Sequence, residues 1–150
     1  MLQELAGQDS RIRKHFRVSF ARHQDEVREA QRLRWKIFGE EMGARLNTPE
    51  HGLDIDLYDA HCEHLLVRDP DSGEVVGTYR ILSPAAAKRV GNYYSESEFD
   101  LTRLQHLRGR MVELGRSCVH PDYRSGSVIT LLWAGLAEYM LRSKHDYLID

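Results

Sequence analysis

The strongest constraint on the fold lies from residue 111 onward, where an apolar run, a Pro/Gly/Ser turn, a long amphipathic segment and a second apolar run follow one another. Met111–Val119 reads as a strand closed by His120-Pro121. Residues 128–142 put Val128, Leu131, Leu132, Gly135, Leu136 and Tyr139 on one face of a helix, and Tyr147–Ile149 begins another strand. Upstream, residues 64–68 and 74–82 flank DPDSG, a compact turn with proline early and glycine late, so they form a β-hairpin. Residues 16–21 alternate as a strand. Residues 24–42 carry Val27, Ala30, Leu33, Ile37 and Phe38 at helical spacing and end at Gly43. Residues 43–61 are polar and acidic, a long loop of the kind that is usually functional or mobile. The order β-α-loop-β-β-(short helix)-β-α-β predicts an α+β fold, a mixed sheet with helices packed on it. With 150 residues and 41% hydrophobic content, the chain suits one domain with one core, here residues 16–150 after an N-terminal extension over residues 1–15.

Charge and cysteine usage narrow the class. A formal net charge of −2 argues against a nucleic-acid partner, which needs an excess of Lys and Arg. Cys62 and Cys118 lie far apart with no CxxC, so neither a disulfide framework nor a zinc knuckle is implied. His61-Cys62-x-His64 is read as no metal site, because residues 61 and 64 point to opposite faces at strand entry and no second pair follows. No stretch has the form of a leader or a membrane span, so the expected location is cytoplasmic. Charge is uneven: residues 1–36 hold nine basic and five acidic side chains, whereas residues 40–63 hold seven acidic and one basic, so a basic start faces an acidic loop.

Several side chains carry candidate chemistry. Glu113 lies in the strand Met111–Val119, and strand parity sends Arg116 to the opposite face unless Gly115 permits a bulge, which would also expose backbone N–H groups. Glu113 and Arg116 read equally as a structural ion pair. Asp54, Asp56 and Asp59 are spaced for two of them to converge on an ammonium group, or to form a solvated acidic loop. Arg34 sits one turn before Phe38, close to the buried stripe, and needs a partner there. Arg34 and Arg80 read as clamps on the acidic loop or as structural ion pairs. Arg124, Ser125, Gly126 and Ser127 precede the long helix as a phosphate cradle at its positive end, with Ser125 or Ser127 as N-cap. Arg103, Arg108 and Arg110 form a basic connector. Trp133, Tyr139 and Met140 read as core, and Trp35 as facing a lipid surface or an acyl chain.

These motifs resemble a known family. The element order looks like the first part of the GNAT acyltransferase fold. Arg34-xxx-Phe38, the run of Asp54, Asp56 and Asp59, Gly77-xx-Arg80 and Glu113-xx-Arg116 resemble the acyl-homoserine-lactone synthases. RLRWKIFGEEMG, GLDIDLYDAHCEHLLVRD, GTYRIL, ELGRSCVHPDYRSGSVITLLWAGLAEYM and HDYLI resemble the related haemolysin-like L-ornithine N-alpha-acyltransferases. The resemblance implies transfer of a 3-hydroxyacyl group to the α-amine of ornithine, the first step of ornithine-lipid synthesis. It implies Glu113 and Arg116 as catalytic residues, and Arg34, Phe38, Asp54, Asp56, Asp59 and Arg80 as substrate-binding residues. Ser117, Cys118, Val119, Arg124, Ser125, Gly126 and Ser127 would bind the acyl donor. The family's loop usually holds more glycine for coenzyme A; a lone Gly126 here points to an acyl carrier protein, whose phosphopantetheine thioester is the donor and whose acidic surface suits the basic connector. No tightly bound cofactor is expected, and a peripheral contact with the inner membrane fits the lipid product. The chain ends in what the resemblance makes the fifth core strand, so the later part of the fold is expected to be missing. An autoinducer synthase and a non-catalytic ligand-binding module are the alternatives.

Overall fold

The computed structural model describes residues 15–97 and 100–149; the expected N-terminal extension lies almost wholly outside them. Five strands, β1 (Arg17–Phe20), β2 (Glu63–Arg68), β3 (Val75–Leu82), β4 (Met111–Val119) and β5 (Tyr147–Ile149), form one sheet in sequence order. β1 to β4 pair antiparallel and β5 joins β4 in parallel, which makes the sheet mixed. Helix α1 (Gln24–Arg34) covers one face, α2 (Pro84–Val90) sits near the end of β3, and α3 (Ser127–Ser143) covers the other face.

Burial on both faces explains why β3, VVGTYRIL, is buried at every position. On one side Val128, Leu131, Leu132, Leu136 and Tyr139 of α3 pack on Leu65, Val67, Val76, Ile81, Val112 and Leu114. On the other, Ala30, Leu33 and Ile37 pack on Leu66, Val75 and Cys118. Close approach of α3 requires glycine at two points. A Cβ at Gly77 would stand 2.5 Å from Val128 Cγ1, and one at Gly135 would meet both Leu65 methyls at 3.0 and 3.1 Å. α2 starts and stops by local rules: Ser83 Oγ accepts from the Ala86 N–H (3.1 Å), proline opens the first turn, and Gly91 ends it with φ 110°.

Three local expectations differ from the structure. The helix expected over residues 24–42 is α-helical only to Arg34; Trp35–Glu41 widens into a π-helical segment, with the Met42 N–H donating to Ile37 O (2.9 Å) and the chain turning back through Ala44 N–H to Phe38 O. Trp35 is half-buried and packs edge-on against His51 of the acidic loop (ring centroids 4.8 Å). Trp133 is half-exposed, one step around α3 from Leu132 and Leu136, whereas Tyr139 is buried and Met140 partly so. The N-cap of α3 is Gly126 (φ 109°), with no side-chain cap from either serine.

Candidate active site

The site is built around an interruption in β4. Gly115 pairs with Arg80 and Cys118 with Thr78, so β4 has one more residue than β3 over this span. The bulge was expected at Gly115. The residue that takes the left-handed conformation is its neighbour Arg116, at φ 54°. The extra residue cancels the parity that separates Glu113 from Arg116, and both converge on Tyr94. Glu113 accepts from the N–H of Tyr94 (2.6 Å), the N–H of Ser95 (2.7 Å) and the Ser95 hydroxyl, while the Arg116 guanidinium lies 5.8 Å from the Tyr94 ring centroid. Arg116 turns instead to Asp54 (3.7 Å) and Asp56 (3.5 Å), so the ion pair read from the sequence as an alternative for Glu113 and Arg116 is replaced by separate partnerships.

The acidic loop is the other half of the site, and Leu53, Asp54, Tyr58 and Asp59 of it are folded inward. Arg34, 1% exposed, reaches from the end of α1 to Asp54 (3.0 Å) and grips Asp59 with both terminal nitrogens (3.0 and 2.7 Å). It also donates to the Asp54 carbonyl. Arg80 on β3 binds Asp56 (2.7 Å) and Asp59 (3.1 Å) between the rings of Tyr58 and Tyr94. Gln31 donates to Asp59 (3.1 Å). Burial alone would push the Asp59 carboxyl up, but the hydrogen bonds and charge of Arg34, joined by Arg80, hold it at about 2. Burial works against the charge on Arg80 too, and Asp56 more than offsets it, so its pKa is raised. A solvated acidic loop is therefore not what forms. Arg34 and Arg80 anchor residues 54–59 to the sheet, and Phe38 stays partly buried beside the α1 cluster.

His64, expected on a strand with no metal, is buried; its Nε2 lies 3.0 Å from the Asp59 carbonyl oxygen and must carry the proton, while Nδ1 has no hydrogen-bond partner among the described residues. Burial lowers its pKa and keeps it neutral. Burial also pushes the thiols of Cys62 and Cys118 up to about 12.

On the other side of the bulge, Ser117, Cys118, Val119, Arg124 and Gly126 line a cleft of about 270 Å³ with Tyr123 and Ile129. The structure thus brings together five of the seven expected donor residues, while Ser125 is exposed beside the cleft and Ser127 starts α3. Arg124 is not free: it forms a forked pair with Glu41 (2.6 and 2.9 Å) and donates to the Val119 carbonyl (3.1 Å). Lys36 lies 3.0 Å from His120 across the same junction. Of the basic connector, Arg108 pairs with Glu96, and Arg110 pairs with Asp146 (2.6 Å) and stacks on Tyr147.

The sequence model of the acetyltransferase (GNAT) domain matches residues 33–134. The chain belongs to the GNAT family. Within it, the chain is 39% identical over 140 residues to an L-ornithine N(alpha)-acyltransferase of Rhodobacter capsulatus, covering 89% of this chain and 54% of that one. It is 44% identical over 136 residues to the protein of the same name from Rhizobium meliloti, covering 84% and 46%. The chain thus spans about half the length of these curated relatives. A solved coenzyme-A-dependent acyl-homoserine lactone synthase, BjaI, superposes with a TM-score of 0.61 at 27% identity, covering 81% of this chain and 57% of that one. The GNAT sheet and its flanking helices are thus common to the chain and to this neighbour.

Sequence reasoning missed Tyr94, Ser95, Gln31 and Glu41. No periodicity marks them, because each meets its partner through contacts between segments far apart in the chain. Only the resemblance singled out the residues they touch.

Proposed function

We propose that this GNAT chain moves a 3-hydroxyacyl group from the phosphopantetheine thioester of acyl carrier protein to the α-amine of L-ornithine, the first step of ornithine-lipid synthesis. The observation that carries this reading is the position of the β4 bulge at Arg116 and Ser117. The charged network and Glu113 lie on one side of it and the donor cleft on the other, so donor carbonyl and acceptor amine would meet there. The similarity to L-ornithine N(alpha)-acyltransferases over most of the chain supports the choice of amine.

The chemistry follows from the partners. The amine nitrogen attacks the thioester carbonyl carbon, and a C–N bond forms as the carbonyl oxygen takes up negative charge. Collapse of the tetrahedral species expels the pantetheine thiolate, leaving an amide. The amine proton passes to Glu113 and then to the departing sulfur, so thioester and amine become amide and thiol. Asp54, Asp56 and Asp59 are each bound by arginine, and Asp59 at about 2 is too weak a base. Glu113 accepts from the Tyr94 and Ser95 N–H groups and the Ser95 hydroxyl and is the carboxylate proposed as general base. Backbone N–H groups of the bulge are the donors proposed for the oxyanion. Burial keeps the Cys118 thiol protonated, which supports direct transfer over an acyl intermediate on that residue.

Arg124 and the uncapped start of α3 would take the donor phosphate, and Arg103, Arg108 and Arg110 would face the carrier protein. The reading places the reaction in the cytoplasm, with product leaving into the inner membrane surface; no helix among the described residues is long and apolar enough to cross a membrane. The test is to incubate the purified chain with 3-hydroxyacyl carrier protein or 3-hydroxyacyl coenzyme A and radiolabelled ornithine. A lipid-soluble product from the carrier protein is expected. No product from either donor, with Glu113→Ala no worse than the parent, would sink the enzyme reading, and product only with S-adenosylmethionine in place of ornithine would favour an autoinducer synthase.

A further inference from the structure

Six charges on three arginines and three aspartates make up the network under the site: Arg34, Arg80 and Arg116 against Asp54, Asp56 and Asp59. Its members are not equivalent. The side chains of Arg34, Arg80, Asp54 and Asp59 are 1%, 6%, 5% and 4% exposed, whereas those of Arg116 and Asp56 are 25% and 20% exposed. The network therefore meets solvent through one cation and one anion, side by side.

Of these two, Asp56 is held by Arg80 at 2.7 Å, and Arg116 is the loosely joined member. Arg34 and Arg80 hold their carboxylates at 2.7 to 3.1 Å, while Arg116 stands 3.5 Å from Asp56 and 3.7 Å from Asp54. Its Nε is buried and has no hydrogen-bond partner among the described residues. A guanidinium has five donors in a fork shaped for a carboxylate, and among the described residues Arg116 reaches an acceptor at hydrogen-bond distance with one terminal nitrogen. Its place is nevertheless fixed, by a left-handed backbone at φ 54° and by the Tyr94 ring. Holding a non-glycine residue in that conformation costs about 1–2 kcal/mol, which the surrounding sheet must offset; the result is to aim the side chain at Asp56 and to the side where Glu113 lies.

We propose that Arg116 and Asp56 together recognise a zwitterion, Arg116 taking the carboxylate of an amino-acid acceptor and Asp56 its distal ammonium. The proposal rests on the acyl-transfer reading for the identity of the acceptor, and assigns Arg116 to acceptor binding. Charge complementarity favours it. An amino acid with a cationic side chain, its α-amine deprotonated for attack, brings one negative charge for Arg116 and one positive charge for Asp56. A diamine without the carboxylate leaves the Arg116 fork unfilled. The acceptor class is then α-amino acids with a free carboxylate and a terminal cation.

Calorimetric binding of L-ornithine, L-ornithine methyl ester and putrescine to the purified chain, with no acyl donor, tests this directly. Removing the carboxylate should weaken binding roughly 10- to 100-fold, the worth of a charged hydrogen-bonded contact. Arg116→Gln should erase the preference by weakening ornithine, with putrescine bound no more weakly than by the parent, and Arg116→Lys should restore part of it. Equal binding of ornithine and its methyl ester by the parent chain would overturn the proposal without any variant, as would an Arg116→Gln protein that loses ornithine and putrescine alike. Because no donor is present, failure of acyl transfer and failure of this assignment are read in separate experiments.

Discussion

The Arg34 guanidinium and the Asp59 carboxylate meet at 2.7 Å with both side chains almost wholly buried. The pair joins the end of α1 to the loop that precedes β2, so it fixes the proposed acceptor side of the site and the position of α1 together. Truncating one partner leaves the other as an uncompensated buried charge. Arg34→Met should therefore cost about 3–5 kcal/mol, read as a lower midpoint in urea unfolding. A loss under about 1 kcal/mol, the value for an exposed pair, would mean that the loop does not depend on this anchor.

Acid should weaken the fold through Asp59. Its folded-state value, about 2, lies below the ordinary 3.8, so its contribution is fully present above pH 3.8 and disappears as pH falls toward 2. The window lies between those values, and the contribution is on the order of 2 kcal/mol. Asp59→Asn should lower stability at neutral pH and flatten its decline below pH 4 in unfolding curves taken across that range.

Gly77→Ala should destabilise the chain by about 1–3 kcal/mol through overpacking, because the new methyl would meet Val128 Cγ1 at 2.5 Å. Adding Val128→Ala should recover part of the loss, giving a coupling energy in a double-mutant cycle. Strict additivity would show that α3 shifts as a body instead.

Glu113→Gln removes the proposed base. kcat should fall roughly 10²- to 10⁴-fold, while ornithine binding remains measurable by calorimetry. The amide also turns an NH₂ toward the Tyr94 and Ser95 donors, so a melting curve must accompany the kinetics. A kcat within about threefold of the parent would reduce Glu113 to a support for the turn at residues 94–97.

Glu41→Gln should release Arg124 from its forked partner at the mouth of the proposed donor cleft. Both side chains are exposed, so stability should barely change. The KM for the acyl donor should fall, because the donor phosphate no longer competes with a carboxylate for the guanidinium. An unchanged KM would show that Arg124 takes no part in donor binding.

The sequence by itself determined the element order, the hairpin around DPDSG, the helix carrying Leu131, Leu132 and Leu136, and the mixed sheet, because hydrophobic periods of 2 and 3.6 and turn chemistry are local properties of a chain. It also marked Glu113, Arg116, Arg34, Arg80 and the three aspartates as a set, through spacing that a family resemblance made legible. What only the tertiary structure decided is how those charges are shared. Arg34 and Arg80 take Asp54, Asp56 and Asp59 inward, the bulge turns Arg116 instead of Gly115 into the left-handed conformation, Tyr94 and Ser95 capture Glu113, and Glu41 occupies Arg124. A charge buried away from water must find a partner, and that partner is chosen by distance in space among segments separated by 18 to 83 residues. No periodicity along the chain encodes those distances.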